Sequence, residues 1–195
     1  MKNNELQNAL EPVVRAFEEL GIVYYIGGSV ASSVYGIARA TMDIDLVSDL
    51  KQNQVSLLVQ KLQQAFYVDE NMILDAIKTR SSFNLIHLET MLKIDVFILK
   101  EKEYYQKSFQ RKRSDNLSEE EDSIQVNFCS AEDIILHKLE WFQLGGSASE
   151  HQWKDILGVI KVQGNLLDKE YLSNWAKELG VYDLLQKALT EGKIE

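Results

Sequence analysis

Cysteine and proline are almost absent from this 195-residue chain, which carries one of each, Cys129 and Pro12. A lone cysteine excludes an internal disulfide, and no Cys or His stands at a zinc-finger spacing from it, so Cys129 is expected to be a small buried apolar residue. No apolar run approaches the roughly 20 residues that cross a bilayer. The N-terminus begins Met1-Lys2-Asn3-Asn4-Glu5 and turns amphipathic without the uninterrupted apolar stretch of a secretory signal, which predicts a cytoplasmic protein with no membrane segment. Internal repeats and low-complexity linkers are missing as well. Positive charge is in short supply, with 21 Lys and Arg against 30 Asp and Glu and a formal net charge of −9. That balance argues against broad attraction to nucleic acid or to an anionic membrane surface. Lys107, Arg111, Lys112 and Arg113 precede the acidic run Glu119, Glu120, Glu121 and Asp122, a pattern read as a solvated helix end followed by a loop.

The composition that remains, 45% hydrophobic and 26% charged, is that of an ordinary globular domain. Leu6, Leu10, Val13, Phe17 and Leu20 recur at helical spacing before Gly21, so residues 4–20 read as an amphipathic helix that Pro12 interrupts or kinks. Residues 22–26 read as a buried strand ending at Gly27-Gly28, and residues 29–35 as a helix closed by Gly36. Residues 42–47 alternate, with Ile44 and Leu46 on one face and Asp43 and Asp45 on the other. Helical spacing returns over 52–66, a short helix or loop falls near 70–78, and strands are expected over 82–88 and 91–99. In the second of these Asp95 leaves the face opposite Leu92, Ile94, Val96 and Ile98. A helix over 102–113, a polar loop over 114–123 and a last strand over 124–128 complete the core. From Ser130 the chain reads as helices of about 14 to 16 residues, opened by the capping pattern Ser130-Ala131-Glu132-Asp133. The expected fold is α/β (α+β): a mixed-sheet core flanked by helices over residues 1–128, then a C-terminal helical bundle over 129–195 packed on it.

Three aspartates on apolar strands are the chemical signal. Residues i and i+2 of a strand share a face, like charges so placed repel, and a divalent cation relieves the repulsion, with all-oxygen ligands suiting Mg²⁺ or Mn²⁺. A Gly-Gly-Ser turn that opens a helix lets backbone N–H groups approach a phosphate. By contrast, His87, His137 and His151 have no metal-ligand spacing with one another, and Trp141, Trp153 and Trp175 lie in amphipathic helices where packing is the expected role.

Gly27-Gly28-Ser29, followed by Asp43-Ile44-Asp45 and a later strand aspartate, resembles the signature of the DNA polymerase beta-like nucleotidyltransferases. The longer stretch from Gly27 through Tyr35-Gly36-Ile37-Ala38-Arg39-Ala40-Thr41 to Leu46 looks like the bacterial branch that includes abortive-infection (AbiEii-type) toxin nucleotidyltransferases. That resemblance implies a metal-dependent enzyme that moves a nucleoside monophosphate from a nucleoside triphosphate to a hydroxyl acceptor and releases pyrophosphate. It implies Asp43, Asp45 and Asp95 as ligands of two Mg²⁺ or Mn²⁺ ions, and Gly27, Gly28, Ser29, Arg39 and Thr41 as nucleotide-binding residues. Residues 131–139 are similar to the branch's second motif, with Lys138 at its lysine, and 153–157 to its third, with the pair Lys154-Asp155. The acceptor is left open among an RNA 3′ end, a protein side chain and a small molecule. So is a partner protein or a homodimer. The alternative is a catalytically silent nucleotide-binding module acting through a partner, as in a toxin-antitoxin pair.

Overall fold

The computed structural model describes residues 3–41, 43–118 and 123–192. In chain order the elements are α1 (Asn3–Glu19), β1 (Tyr24–Ile26), α2 (Gly28–Tyr35), β2 (Asp43–Ser48), α3 (Val55–Leu62), β3 (Phe66–Tyr67), α4 (Glu70–Thr79), β4 (Ser82–His87) and β5 (Lys93–Ile98). There follow α5 (Glu103–Gln110), β6 (Arg113–Asn116), β7 (Gln125–Phe128), α6 (Ala131–Leu144), α7 (Glu150–Gln163), α8 (Lys169–Glu178) and α9 (Tyr182–Glu191). The chain forms two compact units, one from Met1–Gly27 and Ala40–Phe128, the other from Gly28–Arg39 and Cys129–Glu195. Sequence reading places the boundary after residue 128. The second unit also takes up residues 28–39, an excursion that local periodicity does not announce.

The first unit holds a seven-stranded mixed sheet in the order β3-β4-β5-β2-β1-β7-β6. β2 and β5 run parallel, as do β1 and β7, and the other pairs are antiparallel. Alternation gives the sheet two faces. Ile44, Leu46, Ile94, Val96 and Leu85 are buried on one, with α4 packed on β4 and β5. On the opposite face Asp43, Asp45 and Val47 are aligned with Lys93, Asp95 and Phe97. α1 buries Ala9, Leu10, Val13, Val14, Ala16 and Phe17, a stripe at helical spacing. It runs unbroken through Pro12. It stops at Gly21, whose φ of 64° is a left-handed cap, with the Ile22 N–H donating to the Phe17 carbonyl at 2.8 Å. Because Ile22 closes that cap, β1 starts two residues later than its apolar run suggests, and Val23 is exposed.

Two further expectations are corrected. The segment read as a helix to 113 and a loop over 114–123 instead contains β6, an edge strand paired with β7, whose four side chains are all exposed. An edge strand with no buried face carries no alternating pattern. The acidic run 119–122 and Met42 lie outside the described residues. The helical spacing over 52–66 resolves into a 3-10 turn (Gln52–Gln54), α3 and the two-residue β3.

The second unit is all helical: α2 with α6, α7, α8 and α9. The last four have 14, 14, 10 and 10 residues, so the two terminal ones are shorter than their pattern implied. Ser130 caps α6, accepting from the Asp133 N–H at 3.2 Å while its hydroxyl donates to Asp133 Oδ2 at 2.7 Å. Asp133 is fully buried and also accepts from the Tyr171 hydroxyl at 2.8 Å; Glu132 accepts from the Asp168 N–H at 3.0 Å. Both acids are thus satisfied at a helix N-terminus, where their charge is favourable. Cys129 is buried, and burial pushes its thiol well above the ordinary value. Among the described residues no helix is long and apolar enough to cross a membrane.

Candidate active site

The first unit places its three aspartates on one face of two adjacent strands. Asp45 stands directly across from Asp95 in the parallel β2/β5 pair, and Asp43 across from Lys93. Asp43 is exposed, whereas Asp45 and Asp95 are half-buried. Two residues that sequence reading did not single out complete this face. Lys93 Nζ lies 2.8 Å from Asp95 Oδ2 and 3.7 Å from Asp43 Oδ1. The hydrogen bond to Asp95, with the charges of Asp95, Asp43 and Asp45, holds the Lys93 ammonium above its ordinary pKa despite some desolvation. Asn84 of β4 stands across from Asp95 on the other side. Strand register alone makes these two neighbours of the acids, and register is a non-local property.

The site's fit to a divalent cation can be judged from its donors. Among the described residues no three His, Cys, Asp or Glu side chains are gathered tightly enough to hold a metal ion. Asp43 and Asp95 nevertheless reach one positive charge, the Lys93 ammonium, and the donors on this face are carboxylate oxygens, the hard ligands that Mg²⁺ and Mn²⁺ take. The donor chemistry suits such an ion, and the three carboxylates are not gathered around one point. Thr41 is engaged locally, its hydroxyl donating to the Asp43 carbonyl at 3.1 Å. The Gly27 N–H donates to the Asp45 carbonyl at 2.9 Å, tying the end of β1 to the strand that carries the acids. His87 is buried on the opposite face, its Nδ1 2.8 Å from the Thr90 hydroxyl and its ring 5.0 Å from that of Phe66.

The second unit builds a separate charged network. Arg39 grips Asp155 with two donors, Nε to Oδ1 at 2.8 Å and Nη2 to Oδ2 at 3.0 Å. Its Nη2 also reaches the Ser29 hydroxyl at 2.5 Å. Lys138 Nζ donates to Asp155 Oδ2 at 2.8 Å. Lys138 and Asp155 are both buried, contrary to the usual exposure of such residues on helices. Burial alone would push the Asp155 carboxyl up; the hydrogen bonds from Arg39 and Lys138 and their charges outweigh it, so the group is held below its ordinary value. The two cations, acting against burial, are therefore what keep Asp155 ionised.

Gly36, just after α2, and Gly158 of α7 let the end of α2 approach α7. A Cβ at Gly36 would lie 2.8 Å from the Val159 nitrogen and 2.9 Å from the Gly158 carbonyl carbon. Gly28 opens α2 with a φ of 55°, a conformation that side chains resist. Lys154 stays outside the network: exposed on α7, it lies 3.6 Å from Glu150. It lines, with Ile37, Arg39, Asp155, Leu157 and Lys161, a groove of about 450 Å³ in this unit.

No family model and no curated protein matches the chain. Solved structures do. The solution structure of the antibiotic-resistance factor ANT(2'')-Ia is 11% identical with a TM-score of 0.56, covering 95% of this chain and 98% of that one. An antigenic nucleotidyltransferase-like protein from Paracoccidioides brasiliensis is 18% identical with a TM-score of 0.56 over 98% and 94% of the two chains. The fold is that of the nucleotidyltransferases. The lincosamide antibiotic adenylyltransferase LnuA, in its lincomycin-bound crystal structure, is 18% identical with a TM-score of 0.51 and covers 80% of this chain and 97% of that one. At these identities the likeness shows the fold alone, the nucleotidyltransferase-type mixed sheet with helices expected from the sequence, and it does not select the abortive-infection branch.

Proposed function

We propose that this nucleotidyltransferase-fold chain is an enzyme that transfers a nucleoside monophosphate from a nucleoside triphosphate to the hydroxyl of a small molecule. The observation that carries the reading is the alignment of Asp45 with Asp95, and of Asp43 with Lys93, on one face of β2 and β5. The nucleotidyltransferase neighbours supply the reaction class, and ANT(2'')-Ia and LnuA, an antibiotic-resistance factor and an antibiotic adenylyltransferase, supply the kind of acceptor. A net charge of −9 favours a neutral or cationic small acceptor over RNA.

In this reading Asp43, Asp45 and Asp95 hold Mg²⁺ or Mn²⁺, which when bound neutralises charge on the phosphates and leaving pyrophosphate. Asp95, half-buried, also draws the proton from the acceptor hydroxyl. Within the second unit, the start of α2 and the Ser29 hydroxyl are the groups proposed to bind phosphate oxygens. In the same unit Arg39 and Lys138, held by Asp155, and the exposed Lys154 carry the positive charge proposed for nucleotide binding. Thr41 keeps the approach to β2 in shape. Positioning and electrostatics supply most of the acceleration.

The test is incubation of the pure protein with labelled ATP, GTP, CTP and UTP, Mg²⁺ or Mn²⁺, and separate panels of aminoglycosides, lincosamides, RNA and protein extract. Label should enter a small molecule, and Asp45→Asn and Asp95→Asn should each lower transfer at least a hundredfold with an unchanged far-UV spectrum. Label in RNA or protein would move the acceptor class. No transfer to any panel, with triphosphate still bound, would support the silent nucleotide-binding module acting through a partner protein.

A further inference from the structure

Lys93 lies against the acidic face, and its position is specified by the sheet. Parallel register sets it across from Asp43, and the strand period puts it on the same face as Asp95 two residues on. Its ammonium bonds Asp95 at 2.8 Å and lies 3.7 Å from Asp43, so it already gathers two of the three carboxylates. A divalent cation binding those same oxygens has to break the Lys93–Asp95 pair. The side chain is 40% exposed, so it can swing into water on its four-carbon stem without leaving a buried charge behind.

We propose that Lys93 is a resident counter-ion for the carboxylate face, holding Asp43 and Asp95 together in the metal-free protein and leaving when a divalent cation binds. It competes directly for the ligand oxygens, so the protein binds its cation more weakly than the carboxylates alone would. The site then half-fills at a higher concentration of free metal, and the acids are kept from repelling each other until it does. This rests on the metal-site reading given under Proposed function.

The experiment is a Mn²⁺ titration of the full chain, read by electron paramagnetic resonance of free Mn²⁺ and by calorimetry, neither of which needs turnover. Lys93→Met should bind Mn²⁺ about tenfold more tightly than wild type and melt at a lower temperature without metal. Lys93→Gln serves as a second variant if the first does not fold. Lys93→Arg, which keeps the charge, should stay within about twofold of wild type. Lys61→Met makes the same change in net charge at a lysine paired with Glu19, and should leave Mn²⁺ affinity unchanged. Equal or weaker Mn²⁺ binding in Lys93→Met and Lys93→Gln would overturn the counter-ion role while leaving the metal site in place. No Mn²⁺ binding in wild type or in any variant would overturn the metal site and the counter-ion role with it.

Discussion

Asp155 is the residue on which the second unit's charges depend. Lys138 is buried against it, so Asp155→Asn leaves an ammonium without its counter-charge, a change that typically costs about 3–5 kcal/mol. Converting both, Lys138→Met with Asp155→Asn, should cost less than the single variant, and a double-mutant cycle by urea unfolding measures the difference. The pH dependence has a definite sign. The folded-state pKa of Asp155 lies below that of the unfolded chain, so its stabilisation is complete above about pH 4 and is lost as pH falls through the lower folded value. Wild type should therefore lose stability more steeply below about pH 4 than Asp155→Asn does; parallel acid melts would exclude Asp155 as the group responsible. This residue also marks how far single-residue reading reaches. Asp43, Asp45 and Asp95 are legible because a strand's period of two assigns their face. Asp155 and Arg39 are 116 positions apart, and nothing local to either says that they meet. Lys93 is hidden for the same reason, since it becomes a neighbour of Asp43 only through the pairing of β2 with β5.

At the scale of elements, the sequence is most readable where one face is buried. α1, β2, β4 and β5 lie close to where apolar spacing puts them, because each packs an aliphatic stripe. β6 buries no side chain and is invisible to that method. The joint of α2 with α7 is legible only as two glycines, and its meaning is steric. Gly36→Ala would press a methyl group into the α7 backbone, which cannot yield as a side-chain tip can, and should cost about 1–3 kcal/mol. Gly27→Ala is the control, for its Cβ would meet only the Tyr25 ring at 3.7 Å, an ordinary contact. Stability should be unaffected there. A loss of transfer in Gly27→Ala without a change in melting temperature is the result expected if phosphate approaches this turn. If Gly36→Ala melts like wild type, the close approach of α2 to α7 is not a stability constraint.

At the scale of the molecule, the three aspartates of the candidate site lie within the first unit, so a cation bound by them stabilises that unit's folded state. An ion that binds only the folded chain adds RT ln(1 + [L]/Kd), which at ten times the dissociation constant is about 1.4 kcal/mol. For a chain of this length that corresponds to about 3–6 °C in melting temperature. The second unit's network of Ser29, Arg39, Lys138 and Asp155 has one carboxylate already saturated by two cations, and it offers an ion nothing comparable. Mg²⁺ should therefore raise the calorimetric transition of wild type, and Mg²⁺ with a non-hydrolysable triphosphate should raise it further. In Asp43→Asn/Asp45→Asn two of the three carboxylate charges around the Lys93 ammonium become neutral amides of the same size, and the Mg²⁺ increment should vanish. Asp155→Asn should lower the baseline melting temperature yet keep the increment. A full Mg²⁺ response in the double variant would place the ion elsewhere in the protein, and the assignment of Asp43, Asp45 and Asp95 as its ligands would fall.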